Sequence, residues 1–141
     1  MPSSNRITLV AEMETLGAFR AFIERACRAE GIVETTIDDL KLAVDEAAMN
    51  VIMHGYSGMD PGSLMLELDI ARDKVDVRLT DFGHAFEPCD PGMPDPQNLL
   101  DDDRAPGGFG LHFIYRTMDD VAYRTDEEGN HLLLLKKLDR S

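Results

Sequence analysis

The chain has 141 residues, 43% of them hydrophobic, and 27 acidic against 14 basic side chains give it a formal net charge of −13. That length predicts a single domain over 1–141, with a core large enough to stand without disulfides. The charge disfavours nucleic acid and anionic membrane as direct partners and suits a basic protein surface better; a polyphosphate would need local help from backbone N–H groups and a divalent cation.

The opening stretch MPSSNRITLV is too short an apolar run for a signal peptide, and nowhere do 18 apolar residues stand together, so the expectation is a soluble, cytoplasmic protein. Cys27 and Cys89 have no CxxC spacing and are expected to be free thiols.

Residues 6–12, RITLVAE, carry the alternation and β-branched character of a strand. Leu16, Phe19, Phe22, Ile23 and Ala26 then recur at helical spacing, which predicts an amphipathic helix from Glu14 to Ala29 with Gly31 as its stop. Arg20, Arg25 and Arg28 fall on its other faces. Solvent is the default for all three, and Arg20 is the one to watch as a partner contact.

The next helix is the one the chain is built around. In DLKLAVDEAAMNVIMHGY (39–56), Leu40, Ala43, Val44, Ala47, Val51 and Ile52 form the apolar stripe, and the helix is expected to start near Thr35, with Thr35 or Thr36 as cap, and to end at Gly55. Glu46 and Asn50 do not belong to that stripe. They stand four apart, with His54 four further on, so one face carries a carboxylate, a carboxamide and an imidazole. A solvated helix face is the ordinary reading of such a row. The other is a cleft for phosphoryl transfer, in which a carboxylate takes a proton and an amide oxygen ligates a hard cation.

Two strand-like runs follow, 63–71 and 74–81, joined by Arg72-Asp73 as an antiparallel hairpin that delivers Asp81 at its end. From Phe82 to Pro106 the chain is rich in proline and aspartate and has no periodicity, as active-site lids and unstructured loops both are. Gly107, Gly108 and Gly110 then lead into a short helix through Leu111, Phe113, Ile114 and Met118, so phosphate can approach bare backbone N–H groups there; turn geometry is the commoner use of such glycines. Residues 120–125 and 131–138 close the chain as a second hairpin, with Gly129-Asn130 in the turn. The order predicts an α+β two-layer sandwich, a mostly antiparallel sheet with helices on one face.

Several motifs fail on context. Asp81-Phe82-Gly83 copies the DFG of eukaryotic-type protein kinases without a VAIK-like lysine or an HRD loop. GGFG is neither a Walker nor a Rossmann phosphate loop, and the four histidines have no zinc spacing.

Taken together, Glu46-x-x-x-Asn50, Asp81-x-Gly83 and Gly108-x-Gly110 resemble, in order, the N, G1 and G2 boxes of the ATPase superfamily of gyrase, heat-shock chaperones, histidine kinases and mismatch-repair proteins. The stretches EAAMNVIMHGY, DFGHAFEP and GGFGLHFIYRTMDDVAY resemble its bacterial anti-sigma-factor serine/threonine kinases, over about Ile7 to Leu138. The resemblance implies a Bergerat-type fold that binds ATP with Mg²⁺. Asn50 would ligate Mg²⁺, Glu46 would be the general base, and Asp81 would accept from the adenine amino group, with Gly83 letting the base approach. Gly107, Gly108 and Gly110 would face the phosphates, and the loop before them would be the lid. Arg104 is the candidate for γ-phosphate charge, though surface arginine is the commoner reading; His54 is assigned no chemistry. The implied partners are an anti-anti-sigma antagonist protein, a sigma factor and a second copy of the chain, with a non-catalytic nucleotide-gated interaction module as the alternative function.

Overall fold

A computed structural model describes residues 3–84, 114 and 116–139. Its strands are β1 (Ser3–Val10), β2 (Ser63–Ile70), β3 (Lys74–Asp81), β4 (Asp120–Asp126) and β5 (Gly129–Lys137), and its long helices are α1 (Glu14–Ala29) and α2 (Glu34–Asn50). The strands form one sheet in the order β1-β2-β3-β5-β4, antiparallel at every junction, with the helices layered against it. This is the α+β layer expected from the element order.

Register explains which side is covered. Leu66 stands opposite Leu79, Leu68 opposite Val77 and Ile70 opposite Val75, and all six are buried, so alternate positions of β2 and β3 build one apolar face. α1 lays Leu16, Phe19, Ile23 and Cys27 into the core and α2 adds Ile37, Leu40, Ala43, Val44, Ala47 and Ala48. The run of alanines lets α2 lie close to its neighbours, and Val51 and Ile52 pack at the margin. Burial pushes the Cys27 thiol up to about 11, so it is an inert packing group.

Four boundaries differ from the sequence reading. The first strand is Ser3–Val10 rather than 6–12, because β2 offers a full ladder from Ser3↔Ile70 to Val10↔Ser63, and that pairing outweighs the weak strand preference of the serines. α2 begins at Glu34 behind an extended Val33 with no side-chain cap, so Thr35 and Thr36 lie in its first turn. Beyond Asn50 the α-helix gives way to a π-helical turn, Val51–Gly55. In the last hairpin Glu127 and Glu128 make the turn, while Gly129 and Asn130 are already in β5.

Arg20 is not an isolated surface cation: its guanidinium meets the Asp45 carboxylate at 2.8 Å and ties α1 to α2. On the uncovered face of the sheet, a groove of about 360 Å³ lies among Asp69, Asp76, Arg78, Asp120, Leu133 and Leu135. Alternation along β3 puts Asp76 and Arg78 on the side opposite Asp81, so this groove is separate from the candidate site.

Phe19 has no exposed surface and lies in the core cluster with residues of α2 and β2. Phe19→Ala is expected to cost about 3–5 kcal/mol, the range for emptying a fully buried aromatic position, read as a lower urea midpoint with an unchanged slope.

Candidate functional site

Asp81 is the last residue of β3, 6% exposed, on the helix-covered side of the sheet. A carboxylate so buried needs donors, and two converge on Oδ1: the Gly83 backbone N–H and the Asn130 side-chain amide, each at 2.9 Å. Oδ2 accepts no hydrogen bond from the described residues.

The surrounding backbone is packed against that carboxylate. A Cβ on Gly83 would stand 2.1 Å from the Gly55 carbonyl oxygen, so that contact requires glycine irrespective of any ligand. The His84 N–H also donates to the Gly55 carbonyl. Tyr56 completes the joint: its hydroxyl donates to the Ser63 carbonyl at 2.7 Å and accepts the Phe82 N–H at 3.0 Å. Burial raises the Tyr56 hydroxyl above its ordinary pKa, with the Phe82 N–H acting the other way and Asp81 adding to the rise. The hydroxyl therefore stays protonated and keeps both roles.

Glu46 and Asn50 lie one above the other on α2, both half-buried, as their spacing requires. After Asn50 the backbone passes into the π-helical turn, where His54 is exposed and its carbonyl accepts the Tyr56 and Ser57 N–H groups. Of the predicted site residues, Glu46 and Asn50 on α2 and Asp81 and Gly83 at the end of β3 are described, and the Gly55–Gly83 contact joins the two elements. Gly107, Gly108, Gly110, Arg104, Cys89 and the loop after His84 lie outside the described residues.

The sequence reading missed the second hairpin's contribution. Asn130, 3% exposed, stands opposite Asp81 in the β3–β5 register; its amide also donates to the Gly83 carbonyl at 2.9 Å, and its oxygen accepts from the Thr125 hydroxyl at 3.0 Å. One position along, His131 stands opposite Thr80. Its Nδ1 meets the Thr80 hydroxyl at 3.0 Å and its Nε2 meets the Asp126 carboxylate at 2.9 Å. Parity does not reveal this in the sequence, because leucine stands on both alternations of 132–135; the register shows Asn130 on the inward side with Leu132 and Leu134, where a polar residue calls for partners.

No three His, Cys, Asp or Glu side chains cluster as a metal cage among the described residues.

With this geometry in place, comparison with known proteins is decisive for the family. Residues 9–136 match the histidine kinase-like ATPase domain. The chain belongs to that family. Its relatives include the serine-protein kinase RsbW of Listeria monocytogenes, 32% identical over 86% of this chain and 79% of that one. RsbW of Halalkalibacterium halodurans is 30% identical over 99% of this chain and 86% of its own, and RsbW of Oceanobacillus iheyensis is 30% identical over 79% and 72%. The family implied by the three boxes is the one found, and at its level the domain is a kinase or ATPase that uses ATP. No helix among the described residues is long and apolar enough to cross a membrane.

The Asp126 carboxylate is held below its usual range, first by the His131 N–H and then by the Glu128 N–H. A depressed carboxylate stabilises the fold above its unfolded pKa, about 3.9, and that contribution is lost as pH falls through the lower folded value. Wild type should therefore exceed Asp126→Asn in stability at pH 6, and the gap should close as the pH is taken from 4 towards about 2. Urea midpoints across that range check it.

Proposed function

We propose that this chain is an ATP-dependent protein-serine kinase that phosphorylates a small antagonist protein and, in its other complex, sequesters a sigma factor. The reading is supported above all by Asp81: a buried carboxylate with one oxygen saturated and the other left for a donor, joined through Gly55 and Gly83 to the helix that carries Glu46 and Asn50. The serine-kinase names of the relatives support the transfer. Sigma-factor binding and a homodimer are what the resemblance to anti-sigma-factor kinases implies, and a cytoplasmic setting is part of the same proposal.

In this proposal Asp81 Oδ2 accepts the exocyclic amino group of adenine. Asn50 gives its side-chain oxygen to Mg²⁺, which when bound offsets the phosphate charge that a chain of net charge −13 would otherwise repel. Glu46 takes the proton from the partner's serine hydroxyl as that oxygen forms its bond to the γ-phosphorus, the β–γ bridging bond breaks and ADP carries away the electron pair. By resemblance, Gly107, Gly108 and Gly110 give backbone N–H groups to the phosphates; Arg104 is the candidate to meet charge at the γ-position, and 1–141 acts as one domain.

Thermal unfolding with MgATP tests the site. At 100-fold over Kd, ligand linkage should add about 2.7 kcal/mol and raise Tm by several degrees in wild type, and Asn50→Ala should lose most of that rise. No rise in wild type would overturn the nucleotide site. Glu46→Ala should still bind MgATP but transfer phosphate about 10²- to 10⁴-fold more slowly to its protein substrate. Full transfer by Glu46→Ala would remove it as base. Partner binding that depends on ATP, with no phosphoprotein formed, would make the chain a nucleotide-gated interaction module, since fold does not fix function.

A further inference from the structure

We infer that Asn130, oriented by Thr125, is a positioning residue that fixes the Asp81 carboxylate as an acceptor for an amino group and so sets preference for a 6-aminopurine over a 6-oxopurine nucleotide. The inference rests on the nucleotide reading of Asp81 and goes beyond it to a second strand that none of the three boxes includes.

A carboxamide has two faces, and exchanging them would reverse the site. Here the choice is fixed by chemistry. The Asn130 amide nitrogen lies 2.9 Å from both the Asp81 Oδ1 and the Gly83 carbonyl oxygen, two acceptors that only N–H groups can satisfy. The amide oxygen lies 3.0 Å from the Thr125 hydroxyl, which donates to it. Turned over, the amide would set its oxygen against a carboxylate and a carbonyl, and all three hydrogen bonds would be lost. Thr125 stands opposite Asn130 in the β4–β5 register and Asn130 opposite Asp81 in the β3–β5 register, so the chain Thr125–Asn130–Asp81 crosses three neighbouring strands in one row.

The consequence is felt at Asp81. The terminal torsion of an aspartate is broad and nearly two-fold, so one donor would leave its two oxygens able to exchange. Two donors on Oδ1, from Gly83 and Asn130, saturate that oxygen and aim Oδ2 away from them. An amino group on a purine donates to an acceptor held in that direction. A 6-oxo group presents lone pairs to it and is repelled.

The test measures Kd for MgATP and MgITP separately, by displacement of a fluorescent ADP analogue, in wild type, Asp81→Ala, Asn130→Ala and Thr125→Val. Wild type should prefer ATP by about tenfold or more, the worth of one hydrogen bond to a charged acceptor, and Asp81→Ala should abolish the preference. Asn130→Ala should weaken ATP by about tenfold and leave ITP nearly unchanged, collapsing the preference. A purely structural Asn130 would lower both nucleotides together and keep their ratio, which would overturn the inference. If Asn130→Ala does not fold, Thr125→Val carries the same test: it removes one hydroxyl at the hairpin, and the preference should narrow by about threefold, whereas an unchanged ratio in a folded Thr125→Val overturns the positioning role. Equal binding of ATP and ITP by wild type would overturn the adenine reading of Asp81 and this inference with it, an outcome distinct from wild-type preference that survives in both variants.

Discussion

The contact between the Gly55 carbonyl and Gly83 is the constraint on which the rest of the site depends. It brings the π-helical turn that follows α2 against the turn that follows β3 with no side chain between them, and Tyr56 holds the joint by bonding both Ser63 and Phe82. Because Glu46 and Asn50 lie on a rigid α-helix and Asp81 at the end of a central strand, fixing this one junction fixes the relation of all three. Gly129 tightens it from the other side. Its φ is +123°, and a Cβ there would meet the Asp81 carbonyl oxygen at 2.7 Å. The backbone is packed this closely so that a buried carboxylate is held by amides and not left to solvent.

That arrangement also answers the electrostatic difficulty posed by the composition. A chain of net charge −13 gains nothing from long-range attraction to a nucleotide, so specificity has to come from short-range donors and acceptors. In the proposed function Asp81 would supply such an acceptor to the base, the uncharged end of the ligand. In the proposed function the phosphate end is the part that needs a cation, and Asn50, a neutral side chain, would add no further negative charge next to it.

Much of this was legible in the sequence because local chemistry and global fold agree there. The apolar repeats of α1 and α2 are long and strongly periodic, and the hairpin around Arg72-Asp73 has clear strands on both sides, so these elements came out with nearly the right bounds. Glu46 and Asn50 stood out as polar residues that the stripe of α2 did not explain. The misses have physical causes. Ser3, Ser4 and Asn5 are a strand only because β2 pairs with them, and a single sequence does not reveal a pairing sixty residues away. The helix is read to Gly55 from periodicity alone, whereas Val51–Gly55 is a π-helical turn, with hydrogen bonds five residues apart in place of four. Asn130 was assigned to a turn because Gly-Asn is good turn chemistry, and the four leucines of 132–135 hide which parity faces inward.

The Asn130 error is instructive about how the sheet end is built. Moving the turn back to Glu127-Glu128 puts two polar residues in consecutive ladder positions, and the period of two sends them to opposite faces. Asn130 goes to the inner side and completes Asp81; His131 goes to the outer side and links Thr80 to Asp126. The two rows share the β3–β5 backbone and otherwise have separate partners. A register slip of one residue would put either His131 or Gly129 opposite Asp81 in place of Asn130, and every leucine of β5 would change sides as well. Because residues 132–135 are all leucine, the apolar pattern of β5 does not choose between these registers; the polar partners do, since only with Asn130 opposite Asp81 do its amide and the Gly83 N–H converge on that carboxylate.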